Sequence, residues 1–474
     1  MPIVEASPWP RLVAGPGPPG LADAVPVTSQ VMAPPVPLVG DGIPVACADG
    51  TERPYLSLDA AASTAALGPV LVRVAEFMPW YSSVHRGAGQ KSQVATNAYE
   101  DARAAALAFA GRISRPGDVA ILCRNTTDAL NHLAYRLRLA PKDVVVTTVV
   151  EHHANLLPWS RAATCRYIEC GRDGMFGLGD VVSALDQQPA PRLLAITGAS
   201  NITGWMPPLA PIIAAAHDRG IPVVVDAAQL APHRPLPADA DFLAWSGHKM
   251  YAPFGAGVLV GPRSAFADGD PFLAGGGADR EEAGSPNVIG AVALHAAIDT
   301  LTGIGWAALI SHERRIARLL REGLAAIPGV RLLGPAAETP GAEAETLPVA
   351  TFTVEGVPHA LVAARLAAEE AVGVRHGCFC AHPYLMRLLG LTRPDVRRYR
   401  DQVLCGDRSA MPGAVRASAG LNTTDGDIAR LLDAVARIAR GGPPPVPYRQ
   451  DRRTGDFHPG AGSASGHAPR ALFT

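Results

Sequence analysis

From about residue 79 to residue 306, short apolar runs alternate with stretches of helical spacing, and this alternation limits the possible folds more than any other feature. Runs at 143–150, 193–197, 222–226, 242–245 and 257–260 are brief and apolar on both faces, as buried strands of a helix-covered sheet must be. Between them, residues 97–110 carry charges at helical spacing, 127–139 place Leu130, Leu133 and Leu137 on one face, and 209–219 end before Gly220. The pattern predicts an α/β fold with a large, mostly parallel, doubly wound sheet. Helices predicted over 306–327, 359–371 and 425–440, with strands near 330–333 and 350–354, form a smaller C-terminal α+β domain. The expected divisions are an irregular Pro/Gly-rich arm (1–50), a large domain (51–306), a small domain (307–440) and a mobile tail (441–474).

The 474 residues carry a net charge of −1, so no basic field points to nucleic acid or an anionic membrane as a partner. No apolar run approaches the ~20 residues that span a bilayer. The start of the chain lacks a basic segment followed by an apolar one, so no secretory signal is expected. Seven scattered cysteines do not make a disulfide framework in a chain of this length, and the expectation is a cytoplasmic enzyme with reduced thiols. Gly15, Gly17 and Gly20 satisfy the dinucleotide spacing G-x-G-x-x-G, but Pro16, Pro18 and Pro19 leave no room for the helix that motif opens.

In open α/β sheets ligands bind beyond the carboxyl ends of the strands. There the sequence places Asp226-Ala227-Ala228-Gln229, Ser246-Gly247-His248-Lys249 and Glu151-His152-His153-Ala154-Asn155, with Arg124-Asn125-Thr126-Thr127 opening a helix. Lysine occurs only at 91, 142 and 249, against 39 arginines, which cannot form an imine. Each residue has a bland reading: Asp226 in a turn, Lys249 in a solvated loop, His152 as a satisfied core histidine. Together they match the needs of pyridoxal 5'-phosphate. Its aldehyde takes a lysine, its ring nitrogen a carboxylate, its phosphate the hydroxyls and N–H groups of a helix start, and its ring a flat neighbour.

The stretches Leu58-Asp59-Ala60-Ala61-Ala62-Ser63, Val84-His85-Arg86-Gly87, Glu151-His152-His153-Ala154-Asn155, Ser200-Asn201-Ile202-Thr203-Gly204 and Ser246-Gly247-His248-Lys249 resemble the cysteine desulfurase/selenocysteine lyase group. That group belongs to the class V aminotransferases, pyridoxal-phosphate enzymes of fold type I. The likeness runs from about residue 55 to 438, with the motifs in family order. It implies Lys249 as the imine-forming lysine, Asp226 against the ring nitrogen, Gln229 at the ring hydroxyl and His152 stacked on the ring. Thr126, Thr127, Ser246 and His248 would hold the phosphate, and Asn201 would lie near substrate and cofactor oxygens. Ser285 stands where the family's second subunit offers a threonine to that phosphate, which implies a homodimer with composite sites. Ala61 and His85 fall on the substrate side, with His85 and His152 the candidates for proton relay.

Arg416, in Arg416-Ala417-Ser418, resembles the family arginine that takes the substrate carboxylate, a task for which a guanidinium offers a bidentate pair. Upstream, Arg375-His376-Gly377-Cys378-Phe379-Cys380-Ala381-His382-Pro383 resembles the desulfurase cysteine loop, with Arg375 a second substrate contact and Cys380 at the nucleophile's position. The chain departs from the family in three places. Cys378 and Phe379 replace histidines, an arginine-rich insertion surrounds 393–400, and 275–284 is short where related enzymes carry a hairpin. Because His376, Cys378, Cys380 and His382 alternate, an extended strand would present all four on one side, where zinc is a rival reading; i, i+2 ligands crowd a tetrahedron, however. The expected activity is a desulfurase-like lyase that converts L-cysteine, or a related sulfur or selenium amino acid, to alanine and loads a persulfide on Cys380 for a sulfur-acceptor protein. The alternative is an epimerase, β-lyase or aminotransferase of the same class acting on a specialised amino acid.

Overall fold

A computed structural model describes residues 33–275, 281–336 and 346–460. Its main feature is a seven-stranded sheet. In chain order the strands are β1 (Asp118–Cys123), β2 (Val144–Thr148), β3 (Thr164–Ile168), β4 (Pro191–Thr197), β5 (Val223–Asp226), β6 (Phe242–Ser246) and β7 (Gly257–Pro262). They lie side by side as β1-β7-β6-β5-β4-β2-β3. All the pairings from β3 through β6 are parallel, while β7 runs antiparallel to both β6 and β1. Every residue of β2, β5 and β6 is buried, which explains why those runs read as apolar on both faces.

The two strands that the sequence pattern did not reveal, β1 and β3, are the sheet's edges. Strand β3, Thr-Cys-Arg-Tyr-Ile, buries fully only its last residue, so it never becomes the apolar run that marks a central strand. The long helix Val288–Ile304 was also hidden, because it is apolar almost all round and shows no stripe. At Gly305 (φ 83°) the chain bends by 84° into Trp306–Ala325, a backbone conformation that glycine adopts without a Cβ clash. Among the described residues no single helix is long and apolar enough to cross a membrane.

Beyond residue 306 an antiparallel sheet of four strands forms: β8 (Val330–Leu333), β9 (Val349–Val354), β10 (Arg375–Gly377) and β11 (Ala414–Ser418), ordered β8-β9-β11-β10. It shares a second core with helices Trp306–Ala325, His359–Glu370 and Asp425–Ala439. Leu56 and Leu58, assigned above to the large domain, pack in this second core, and Leu56–Ser57 pairs with Val372–Gly373. From there residues 58–61 are tied to β11: Ser418 N–H donates to the Leu58 carbonyl, and Ala60 N–H to that of Ser418.

The expected mobile tail needs correction over 441–460. Tyr448–Gln450 and Phe457–Pro459 form an antiparallel hairpin, and the Tyr448 hydroxyl bonds Glu369 on helix His359–Glu370. Its period-two signal is only three residues long, too short to stand out among prolines and arginines. The Gly15–Gly20 motif, most of the N-terminal arm and residues 461–474 lie outside the described residues, as do 276–280 within the short 275–284 segment. The arginine-rich insertion forms the helix Arg393–Leu404, capped by Thr392 and Asp395.

Candidate active site

The carboxyl ends of the parallel strands surround a cavity of about 380 Å³. Asp226 closes β5 and Ser246 closes β6; His152 follows β2, and Asn201 follows β4. Opposite them opens helix Thr126–Arg136, whose start is set by Asn125 accepting from the Asp128 N–H. A Cβ at Gly257 would lie 2.6 Å from the Asn125 Cα, so only glycine lets β7 bring this helix start against the cavity. Thr126 donates its N–H to Ser246 Oγ (2.7 Å), and the two hydroxyls are 2.6 Å apart. With Thr127 and His248 they form a cluster of hydroxyls, imidazole and free N–H groups at a helix N-terminus, the setting that favours a phosphate.

Lys249 lines the cavity beside Asp226. Burial disfavours its ammonium form and pulls its pKa down to about 8, against the partial support of the Asp226 charge. Asp226 is fully buried, and burial pushes its carboxyl upward while the Ala228 N–H and Lys249 pull it down. Its Oδ1 accepts from Ala228 N at 3.0 Å, and no other hydrogen bond reaches the carboxylate among the described residues. A carboxylate so placed is suited to a cationic N–H from within the cavity. His152 presents a neutral imidazole: burial first, then Lys249, push its pKa down to about 3, and Nδ1 accepts the Ala154 N–H. The residues present therefore fit pyridoxal phosphate in charge, hydrogen-bonding character and size.

One measurement follows from the lysine. Only the neutral amine attacks an aldehyde, so uptake of the cofactor by the apoprotein should accelerate as pH rises through about 8, rather than through the ordinary value of 10.5. The rate at which colour appears between pH 6.5 and 9.5 checks this.

The structure brings all but two of the expected residues to this cavity. Ala61, Gln229, Asn201, Arg375, Cys380 and Arg416 complete its wall. Gln229 reaches it with Nε2 already donating to the Ala61 carbonyl at 2.7 Å. His85 sits on the loop before helix Gln90–Phe109, with Nε2 3.0 Å from Glu100, and does not line this chain's own cavity. Its motif is local, and nothing in it specified which way the loop would face. Ser285 is exposed and also outside the cavity, just ahead of helix Val288–Ile304.

The cysteine loop differs from the extended strand assumed above. Strand β10 ends at Gly377 (φ 107°), and Phe379 and Cys380 both take φ of 53°, a left-handed conformation costly for residues with a Cβ. Three hydrogen bonds hold the turn: Asn201 Nδ2 to the Phe379 carbonyl, His153 N–H to that of Cys380, and Ala381 N–H to that of Cys378. The two thiols are thereby parted. Cys380 is exposed and lines the cavity, within electrostatic reach of Lys249 and Arg416. Cys378 turns away, its Sγ donating to the Pro412 carbonyl (3.3 Å) and its pKa pushed up to about 11 by burial. The other two members of the alternating set diverge as well: His376 meets Asp456 of the C-terminal hairpin, and His382 stacks on His153 at 4.9 Å between centroids.

Arg416 is 2% exposed. Its Nη1 donates to the Asn201 carbonyl and its Nη2 to Asp59 Oδ1, each at 3.0 Å. Burial draws its pKa down to about 10, opposed by Asp59. Arg375 is paired with the same carboxylate, Nη2 to Oδ2 at 2.9 Å. Asp59, which lies in the Leu58–Ser63 motif, was missed as a site residue. A search for groups that attract a substrate carboxylate passes over another carboxylate, and only the β11 contact brings residue 59 next to residue 416.

A parallel-sheet α/β frame with a half-buried lysine and a buried aspartate at its strand ends defines the class of pyridoxal-phosphate enzymes of fold type I. The aminotransferase class-V family profile matches residues 56–431. A cysteine desulfurase of Dickeya dadantii is 32% identical over 434 residues, covering 86% of this chain and 97% of its own. A probable cysteine desulfurase of Synechocystis is 33% identical over 361 residues, 70% of this chain and 83% of the relative. Among solved structures, the apo cysteine desulfurase of Thermococcus onnurineus superposes with a TM-score of 0.71 at 28% identity, covering 82% and 95% of the two chains. The cysteine desulfurase CsdA of Escherichia coli gives 0.66 at 29% identity, covering 81% and 95%. The chain belongs to the class-V aminotransferase family of pyridoxal-phosphate-dependent enzymes, within its cysteine desulfurase group.

Proposed function

We propose that the protein releases sulfur from L-cysteine, leaving alanine and a persulfide on Cys380. The observation that carries this reading is an exposed thiol, Cys380, facing the same cavity as Lys249 and Arg416. Lys249, Asp226, His152 and Gln229 are assigned to hold the cofactor ring, and Thr126, Thr127, Ser246 and His248 its phosphate. When bound, pyridoxal phosphate supplies a carbonyl that captures the substrate amine and a ring that takes up electron density from Cα.

The chain's own residues do the rest. Arg416 binds the substrate carboxylate, and Asn201 fixes the guanidinium through its carbonyl while its amide holds the cysteine loop. Lys249, with its lowered pKa, moves the proton at substrate Cα. The Cys380 thiolate forms an S–S bond to the substrate sulfur as the bond from that sulfur to Cβ breaks; protonation at Cβ completes alanine. An exposed persulfide can then be handed to an acceptor protein. Ser285, exposed and away from its own cavity, is assigned to the phosphate of a second copy in a homodimer, and the working location is the cytoplasm. The epimerase, β-lyase or aminotransferase alternative is not favoured, since the relatives named above are cysteine desulfurases.

The test is to incubate the holoenzyme with L-cysteine and measure alanine and sulfide together. Equal amounts in the presence of a thiol reductant support the reading, whereas pyruvate with ammonia, or racemised cysteine, overturns it. A second measurement bears on substrate capture. Arg416→Ala should keep the cofactor colour but lose roughly two orders of magnitude in kcat/KM, carried mainly by KM, because a charge-assisted bidentate pair is lost.

A further inference from the structure

Residues 381–412 leave the cysteine loop and return to it. The segment departs through helix His382–Leu389, which the Tyr384 hydroxyl ties to the Gly174 carbonyl, and comes back at Pro412, whose carbonyl accepts from Cys378 Sγ. Between these roots stands Arg393–Leu404, a helix of 12 residues and about 18 Å, none of which is buried. The C-terminal hairpin braces the turn that follows it. Arg408 N–H donates to the Arg452 carbonyl, Gln450 Nε2 to that of Ser409, and Arg452 pairs with Asp407 at 2.7 Å. A globular helix ordinarily sets one face against the core. This one is held in place yet left open, on a segment rooted at Cys378 and Cys380.

Its charge is distinctive. Residues 393–408 and 448–458 carry eight arginines and five aspartates, a local charge of +3 in a chain whose net charge is −1. Arg398 pairs with Asp395 and Arg452 with Asp407. Arg393, Arg397, Arg400 and Arg408 are exposed, with no side-chain hydrogen bond or ion pair among the described residues. Leu404, 74% exposed, ends the same helix. Arginine mixed with carboxylates and an apolar side chain suits a protein partner, whereas a nucleic acid favours a basic stripe unbroken by acid.

We propose that the insertion helix Arg393–Leu404, braced by the C-terminal hairpin, is the docking surface for a sulfur-acceptor protein that presents an acidic face beside its own acceptor cysteine. The free arginines steer that face in and fix its orientation, and the exposed Leu404 gives it an apolar contact. The acceptor thiolate then bonds the outer sulfur of the Cys380 persulfide as that sulfur's bond to Cys380 Sγ breaks. Cys380 leaves as a thiolate, so the exchange needs no added oxidant or reductant. This inference rests on the persulfide reading of Cys380.

The experiment scores binding first and sulfur transfer second. Holoenzyme is titrated against two end-labelled peptides, each with one central cysteine, flanked in one by glutamates and in the other by lysines, and binding is read by fluorescence anisotropy. The acidic peptide should bind about tenfold more tightly at low salt, and the preference should vanish in ~1 M salt. The combined variant Arg393→Glu, Arg397→Glu, Arg400→Glu should reverse the preference, and the corresponding Lys variant should keep it. Neither should alter alanine formation with a small-thiol reductant, since none of the three residues is buried or lines the cavity. On enzyme preloaded from labelled L-cysteine, the acidic peptide should also take up sulfur faster than the lysine peptide. Equal binding of the two peptides at low salt overturns the inference, as does an acidic preference that survives charge reversal. Tighter binding of a single-stranded oligonucleotide of the same charge overturns it too, in favour of a nucleic-acid surface. Failure of the alanine-and-sulfide assay would instead overturn the desulfurase reading, and the anisotropy titration would still report on the helix.

Discussion

Lys249→Ala is expected to give a folded protein that is colourless after dialysis, retains no borohydride-reducible adduct and turns over L-cysteine at least a thousandfold more slowly than wild type. The variant removes both the amine that anchors the cofactor and the base that moves the substrate proton. Folding should survive, because Lys249 makes no ion pair among the described residues and burial already disfavours its charge. Arg at 249 should do no better, since a guanidinium remains protonated and forms no imine. Absorbance in the visible range and alanine production are the two readouts. A colourless wild type, after reconstitution with pyridoxal phosphate, would sink the cofactor assignment together with the proposed chemistry.

Cys380→Ser should abolish alanine formation from L-cysteine while leaving the cofactor colour intact, and Cys378→Ser should lower the rate no more than a few-fold. The difference lies in where the loop sends each sulfur. Cys380 is exposed toward Lys249 and Arg416, whereas Cys378 is half-buried against Pro412 with its pKa raised to about 11, so it holds almost no thiolate near neutral pH. After brief exposure to L-cysteine, mass spectrometry should find the added sulfur on Cys380 in both the wild type and Cys378→Ser. Wild-type alanine production by Cys380→Ser, with loss in Cys378→Ser, would move the nucleophile to residue 378.

The central strands and the chemistry at their ends were legible in the sequence for the same reason. A strand buried on both faces must be apolar along its length, so polar residues such as Asp226, Ser246 and Lys249 stand out where the strand stops. Scarcity of lysine sharpened that signal, because residue 249 could not be dismissed as one surface lysine among many. Edge strand β3 and the C-terminal hairpin carry no such mark, because most of their residues stay outside the core.

Local order also could not say which way a loop turns. The alternation of His376, Cys378, Cys380 and His382 implied one shared face, but an alternation has that meaning only in extended backbone. Here the left-handed residues 379 and 380, pinned by Asn201 and His153 from the large sheet, turn one thiol inward and leave the other open. His85 likewise shared a motif with no constraint on direction, and it faces Glu100. By itself the sequence determined the sheet's buried strands, the family and the residue types converging on the cavity, because burial and cofactor chemistry each restrict identity position by position. Only the tertiary structure decided the separation of the two cysteines and the pairing of Asp59 with Arg375 and Arg416, because those depend on contacts between segments more than three hundred residues apart, or on backbone angles that several sequences could adopt.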